Sequence, residues 1–534
     1  MSVRQAGTSI SDRDFWDAAR QGGDKRLAER FGPMNSGGAF RGDCVQCRLY
    51  PRLSFFFDGT GNNLELDTPL KRLSNVAKLF NAAVRDRSGQ HTVPTYIAGV
   101  GTPFKIRNRV PGYTDFPDDP GGKAGLGFGK GGNTRIDFAI GEFARLIELE
   151  MGFNALPHIQ YIGLSVFGFS RGATAARAFV RRLIEQRCER TDKGLVWRSK
   201  DGSKIPLQIT FMGLFDTVAS VGGPGRNMSW GAELAIPPEV QRCVHFVSAH
   251  EVRQAFPLDS VRVDQSYPSN CEEVVYPGVH SDVGGGYAPD EQGRCNLLSR
   301  IPLRHMYAEA LRAGVALMLP GSLIKSRQSD YALAPDHSLV SFYEQYMSSL
   351  VKGGTDVESL MHAHRRPMMQ WRGALAKVGR DDRVLGRLYG QVNAEMCRAV
   401  PAATEHDHPL CSPDDWTYVI ARDPDKEARQ LLGEQRRLAQ RIAFLRSPVM
   451  PSRDWPPPPP RKLTDYEKLL LQWWDTDSPV SPAVDALLAE HVHDSVSHFT
   501  LWPCALYDAR GVFCDGEKYY ADLQDANSSR VEMA

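Results

Sequence analysis

Ser170, Asp216 and His280 have the residue types and the order along the chain for nucleophilic attack on a carbonyl carbon. A serine hydroxyl is a weak nucleophile at neutral pH, so it needs a base to take its proton. An imidazole serves best when a carboxylate fixes its tautomer. Ser170 lies in Gly168-Phe169-Ser170-Arg171-Gly172, between the apolar run from Ile159 to Phe167 and a stretch from Ala173 to Ile184. The run mixes β-branched and aromatic residues over strand length. The stretch is apolar on one side, with Arg171, Arg177, Arg181 and Arg182 on another, as in an amphipathic helix. On a sharp turn between strand and helix the hydroxyl projects outward, and Gly168 and Gly172 let the two elements approach closely.

Asp216 follows the apolar run Pro206 to Phe215, and His280 follows Val274 to Val279 at the mouth of a glycine-rich loop ending at Tyr287. Both positions read as C-terminal ends of strands, the edge where open α/β sheets place their sites. In the roles this order implies, Ser170 attacks, His280 relays the proton and Asp216 orients the imidazole. Two rivals stand beside them: His250, next to Glu251 and near Arg253, as base, and Asp282 as acid, although Asp282 more naturally braces the turn it shares with His280. Charge developing on the attacked oxygen needs two backbone amides. Arg171, the residue after the serine, supplies one. Gly59 or Thr60 supplies the other, from the loop Asp58 to Asn63 that follows the strand Arg52 to Phe57. The competing reading of that loop is a plain turn held by Asp58.

Strands at 52–57 and 92–100 separated by a helix at 69–84, then a helix at 134–151 leading to the serine strand, have βαβ spacing. The fold class is therefore α/β: an α/β-hydrolase-like, mostly parallel sheet with helices on both faces, plus a largely helical cap or C-terminal region. The expected division is an N-terminal arm at 1–48, a catalytic domain at 49–320 and a mostly helical region at 321–534, with helices at 339–351, 357–363 and 426–445. Seven glycines between Gly121 and Gly132 lack the Lys-Ser or Lys-Thr ending of a phosphate loop and suit a mobile loop at the site entrance. Pro456 to Pro460 reads as a stiff spacer. Leu469 to Trp474 is apolar enough for a membrane-contacting lid or, more simply, a buried helix. His493, Asp494, Ser495 and His498 form a polar cluster without the facing geometry of a second triad.

Net charge is +1, with 24% charged and 42% apolar residues, an ordinary globular balance that gives no reason to expect nucleic acid as a partner. Of the ten cysteines only Cys44 and Cys47 lie close together, and no second pair completes a zinc spacing. No metal and no cofactor are expected. The first 38 residues hold no signal-peptide core and no apolar run is long enough to span a bilayer, so an action on a membrane would begin from water.

Phe56-Phe57-Asp58-Gly59-Thr60-Gly61-Asn62-Asn63, the serine turn, Gly213-Leu214-Phe215-Asp216-Thr217-Val218 and Pro277 to Tyr287 together resemble one family, over roughly residues 50–300 in matching order. They look like the α/β-hydrolase domain of the type VI secretion lipase effectors, the branch whose elbow reads Gly-Phe-Ser-Arg-Gly. The resemblance implies a triad of Ser170, Asp216 and His280 and an A-type phospholipase that cuts fatty acyl chains from membrane phospholipid. It also implies delivery of a cytoplasmically made protein into a target cell's periplasm, carried by a spike or tube component, and a cognate immunity protein in the producer. Two other readings stay open: an intracellular esterase on a soluble substrate, and a catalytically inactive interaction protein of the secretion apparatus.

Overall fold

The structure is a computed structural model describing residues 3–7, 19, 21, 48–86, 91–107, 109–223, 225–263, 266–334, 337–351, 353–379, 382–388, 424–448, 462–477, 479–496, 510–514 and 517–520. Its strands are β1 (Val3–Gln5), β2 (Arg52–Phe57), β3 (Thr92–Ile97), β4 (Ile162–Phe169), β5 (Cys188–Thr191), β6 (Gly194–Arg198), β7 (Lys204–Phe215), β8 (Cys243–Ser248), β9 (Leu258–Asp259), β10 (Cys271–Tyr276), β11 (Gly511–Cys514) and β12 (Glu517–Tyr520). The main sheet runs β1-β10-β8-β7-β4-β2-β3, parallel at every step, and the β5–β6 hairpin adds antiparallel to the start of β7. A small second sheet has the order β12-β11-β9.

Successive side chains of a strand point to opposite faces, and β2 shows the consequence. Phe55 and Phe57 pack against the helices Gly132–Arg145 and Arg171–Arg187 on one face. Phe56 stacks on Phe167 at 4.8 Å on the other, beneath the helices Asn75–Ala82 and Arg300–Arg312. All three rings are at most 1% exposed, and burying each stabilises the fold by roughly 1.5–3 kcal/mol. Being buried on both faces, β4 reads as an unbroken apolar run rather than an alternation.

Several expectations change in detail. The helix expected over 69–84 is Asn75–Ala82, because the Ser74 side chain accepts from the Ala77 N–H and fixes its start. Arg171 and Arg177 do not form a solvated face of the elbow helix. Both are buried, and Arg177 donates to the carbonyls of Leu234, Asp259 and Ser260. The glycine-rich stretch is not simply an open loop, since it contains a helix at Lys123–Phe128 that Arg171 fastens by hydrogen bonds to the Gly125 and Leu126 carbonyls. The helix starting at Val357 continues through Pro367 to Val378, because residues beyond the proline, among them Met368, Met369 and Trp371, are buried.

The borders at 48 and 320 do not separate independent cores. From the expected arm, β1 forms an edge strand of the main sheet beside β10. The C-terminal helices, including Ser338–Ser349, Asp465–Trp474 and Pro482–Glu490, share one apolar cluster with the sheet residues Phe56, Phe167 and Phe246. Leu470, Trp473 and Trp474 are buried in it, so that stretch is an interior helix and not a membrane-contacting lid. The helical piece expected at 14–31, apart from Ala19 and Gln21, lies outside the described residues, as do Cys44, Cys47, Pro456 to Pro460 and His498. Among the described residues no helix is long and apolar enough to cross a membrane.

Candidate active site

Ser170 occupies a backbone conformation that side chains rarely adopt, with φ 57° and ψ −128°. Such strain costs about 1–3 kcal/mol and persists only where its surroundings enforce it. Here a Cβ on Gly168 would lie 2.4 Å from the Ala173 Cα, and one on Gly172 would lie 2.3 Å from the Asp58 carbonyl oxygen. The two glycines thus let helix and strands close on the turn. The Ser170 N–H donates to the Phe215 carbonyl at 3.0 Å, which seats the serine beside the end of β7. Gly172→Ala should cost at least roughly 1–3 kcal/mol, because the added methyl meets backbone rather than a movable side chain. Gly163→Ala on β4, the strand that leads into the turn, is the control, its nearest neighbour being 3.6 Å away. Urea unfolding midpoints of the two variants check the contrast.

Asp216 directly follows β7 at φ 41°, held by its N–H donating to the Phe246 carbonyl at 2.7 Å. Its buried carboxylate accepts from the Ser248 N–H and hydroxyl, both at 2.8 Å, and from Arg510 through two guanidinium nitrogens at 2.8 and 2.9 Å. Its Oδ2 also lies 2.6 Å from His280 Nδ1. Burial pushes the carboxyl up, but Arg510 and His280 outweigh burial and hold it far below the usual carboxylate range. An ionised carboxylate only accepts, so Nδ1 carries the hydrogen and Nε2 keeps its lone pair.

His280 opens a short helix, His280–Gly284, with its ring between Phe169 at 4.7 Å and Phe256 at 5.2 Å. Burial holds its pKa below the ordinary histidine value although Asp216 pulls the other way. The backbone of the turn is fixed from behind. Its N–H reaches Glu251 at 3.4 Å, and Glu251 forms a bidentate pair with Arg253 at 2.8 Å. Among the described residues the Ser170 hydroxyl and His280 share no hydrogen bond. Such bonds are often long in unliganded sites and tighten around substrate.

The loop after β2 separates the two candidate amides. Gly59 donates to the Asp58 carboxylate at 2.8 Å, so its N–H is already spent and the plain-turn reading describes it. Asp58 in turn accepts from the Ser74 and Tyr96 hydroxyls, and burial raises its pKa to about 6. The backbone N–H groups of Thr60 and Arg171 have no hydrogen-bond partner among the described residues, and the Arg171 side chain ties the two loops together through the Thr60 hydroxyl at 2.7 Å.

The rivals resolve into scaffolding. His250 is buried, accepts from the Gly278 N–H at Nδ1 and meets the Tyr346 hydroxyl at 3.1 Å through Nε2. Asp282 braces the turn by accepting from the Val279 N–H and holds His493 at 2.6 Å. Sequence reasoning misses Arg510, Ser248 and the bracing role of Glu251 and Arg253. Ser248, the polar residue closing β8, becomes legible once β8 is known to neighbour β7. Arg510 carries no local signal, since 294 positions separate it from the carboxylate it clamps.

A serine on a strained strand-to-helix turn after β4, an acid after β7 and a histidine after β10, all at one edge of a parallel sheet, have the arrangement of the α/β-hydrolase fold. The family model described as "T6SS, Phospholipase effector Tle1-like, catalytic domain" matches residues 185–309, a segment that includes Asp216 and His280. Over that segment the chain is similar to the catalytic domain of the Tle1-like type VI secretion phospholipase effectors. No curated protein matches the sequence. Among solved structures, an uncharacterized protein from Pseudomonas aeruginosa is similar over 97% of this chain and 85% of its own, at 23% identity and a TM-score of 0.68. A Tle1 effector solved bound to the VgrG spike of the type VI secretion system is similar over 62% of this chain and 88% of its own, at 20% identity and a TM-score of 0.40.

Proposed function

We propose that this protein is a serine-dependent, A-type phospholipase that cleaves acyl esters of membrane phospholipids. The observation that carries the reading is the convergence of the strained Ser170, the Asp216–His280 pair at 2.6 Å and the unspent amides of Thr60 and Arg171 on one sheet edge. In this mechanism His280 Nε2 takes the Ser170 proton as Oγ attacks the acyl carbon, and the amides of Thr60 and Arg171 receive the oxyanion. Collapse of the tetrahedral intermediate releases the lysolipid, which leaves with the proton from His280. Water then attacks the acyl-enzyme by the same route and frees the fatty acid. Asp216 stays ionised throughout and stabilises the imidazolium.

Similarity to the effector family's catalytic-domain model supports the rest of the reading: delivery by a type VI apparatus on a spike or tube component, a target-cell periplasm as the place of action, and an immunity protein in the producer. The test uses phospholipid vesicles with distinguishable acyl chains at the two glycerol positions. The expected result is release of one chain together with lysolipid, and labelling of Ser170 by a fluorophosphonate. Equal or faster turnover of a monomeric short-chain ester, with no gain at the vesicle surface, would favour a soluble-substrate esterase. Failure of the probe to label Ser170 would favour an inactive interaction protein.

A further inference from the structure

Phe128 and Met228 are 58% and 50% exposed, and they come from two different segments that meet at Gly222, one of them held by the side chain of Arg171. The Gly222 N–H donates to the Phe128 carbonyl at 3.1 Å, and a Cβ on Gly222 would lie 2.7 Å from the Met228 sulfur. The backbone of Phe128 and the side chain of Met228 therefore meet at one glycine. The turn around Gly222 is closed by the Val221–Asn227 bridge and by the Met228 N–H donating to the Val221 carbonyl at 3.2 Å. On the other side Arg171, the residue after the serine, holds the Lys123–Phe128 helix through the Gly125 and Leu126 carbonyls. The apolar pair is thus fastened to the same loops that shape the site.

Three exposed cations, Lys123, Lys130 and Arg226, belong to these two segments, and among the described residues none has an acidic partner. The nearby acids are engaged elsewhere, Asp119 with Arg135 and Glu233 with Arg181. Exposed large apolar side chains on the same two segments as exposed cations match an interface of acyl chains beneath anionic headgroups. We propose that this rim docks the enzyme on an anionic lipid surface, Phe128 and Met228 entering the acyl boundary while Lys123, Lys130 and Arg226 contact phosphate. The inference rests on the phospholipase reading and adds how the substrate surface is approached.

The experiment measures sedimentation of the full chain carrying Ser170→Ala, which leaves the lipid intact, with vesicles of phosphatidylcholine alone or mixed with phosphatidylglycerol. Adding Phe128→Ser and Met228→Ser should weaken binding to both compositions by about tenfold or more. Reversing the three cations to glutamate should abolish the preference for the anionic mixture, a change of about a hundredfold. Leu149 and Phe153, exposed at the opposite edge near the start of β4, provide the control, and Leu149→Ser with Phe153→Ser should leave binding unchanged. The proposal is overturned if the rim variants bind like their parent or if the control pair costs as much. With Ser170 intact the rim variants should hydrolyse a monomeric short-chain ester at the parent's rate. A parent chain that cannot hydrolyse even that ester removes the phospholipase reading instead, whatever the binding data say.

Discussion

Ser170→Ala should lower fatty acid release from phospholipid vesicles by roughly 10⁴–10⁶-fold, the loss expected when the nucleophile of a coupled triad is removed. The fold should survive. Alanine meets the same backbone restriction at φ 57° as serine, and the contacts that impose it belong to Gly168, Gly172 and the Phe215 carbonyl rather than to the hydroxyl. Thermal unfolding and vesicle binding should therefore match the parent while turnover is lost. Retention of more than about a hundredth of the parent rate in a carefully purified variant would exclude Ser170 as the nucleophile. The parent's kcat/KM should hold as pH falls from neutrality and decline only below the ordinary histidine value of about 6.5, because burial depresses His280 and keeps it neutral and able to accept a proton.

Arg510→Met should have the second largest effect, acting on stability and rate together. The guanidinium is fully buried and engages both oxygens of Asp216, the Ser248 carbonyl and hydroxyl, and the Phe256 carbonyl. Removing one partner of a buried ion pair leaves the other uncompensated, a loss of about 3–5 kcal/mol. The sign of the pH dependence follows from Asp216, whose folded-state pKa lies below its unfolded value. A depressed carboxylate pKa contributes stability that is fully present above the unfolded value, near 3.9, and is lost as pH falls through the folded one. The stability gap between parent and Arg510→Met should therefore be widest above about pH 4 and narrow under stronger acid.

The catalytic signature is separate from stability. Without the arginine, more of the Asp216 charge acts on His280, the imidazolium is favoured, and the acid limb of kcat/KM moves to higher pH. Loss of alignment should also cut kcat by roughly ten- to a hundredfold. Arg510→Lys, which keeps the charge but not the fork, should restore the pH profile more fully than the rate. A rate that falls only with the folded fraction, on an unshifted pH profile, would reduce Arg510 to a purely structural role.

The lesson for sequence reading lies in how far each signal reaches. β2, β4 and the ends of β7 and β10 were legible because burial on both faces leaves apolar runs that end abruptly in Asp58, Ser170, Asp216 and the turn before His280. The elbow glycines were legible because the demand on them is local: a strand and a helix must approach within a methyl's width. Helix ends were less legible, since Ser74 and the buried residues beyond Pro367 decide them through capping and tertiary burial. The choice between Gly59 and Thr60 depended on where one N–H points, which residue type does not encode.

By itself the sequence determined the parallel sheet, the order of serine, acid and histidine, and the family resemblance, since each is written in contiguous runs of a few residues. The tertiary structure decided that residues 3–5 form an edge strand of the sheet, that the C-terminal helices share an apolar core with the sheet, and that Arg510 clamps the acid. It also brought the segments of Phe128 and Met228 together at Gly222, against the helix that Arg171 holds. These are pairings across tens to hundreds of positions, fixed by packing and buried charge rather than by local pattern, so no stretch of the chain records them.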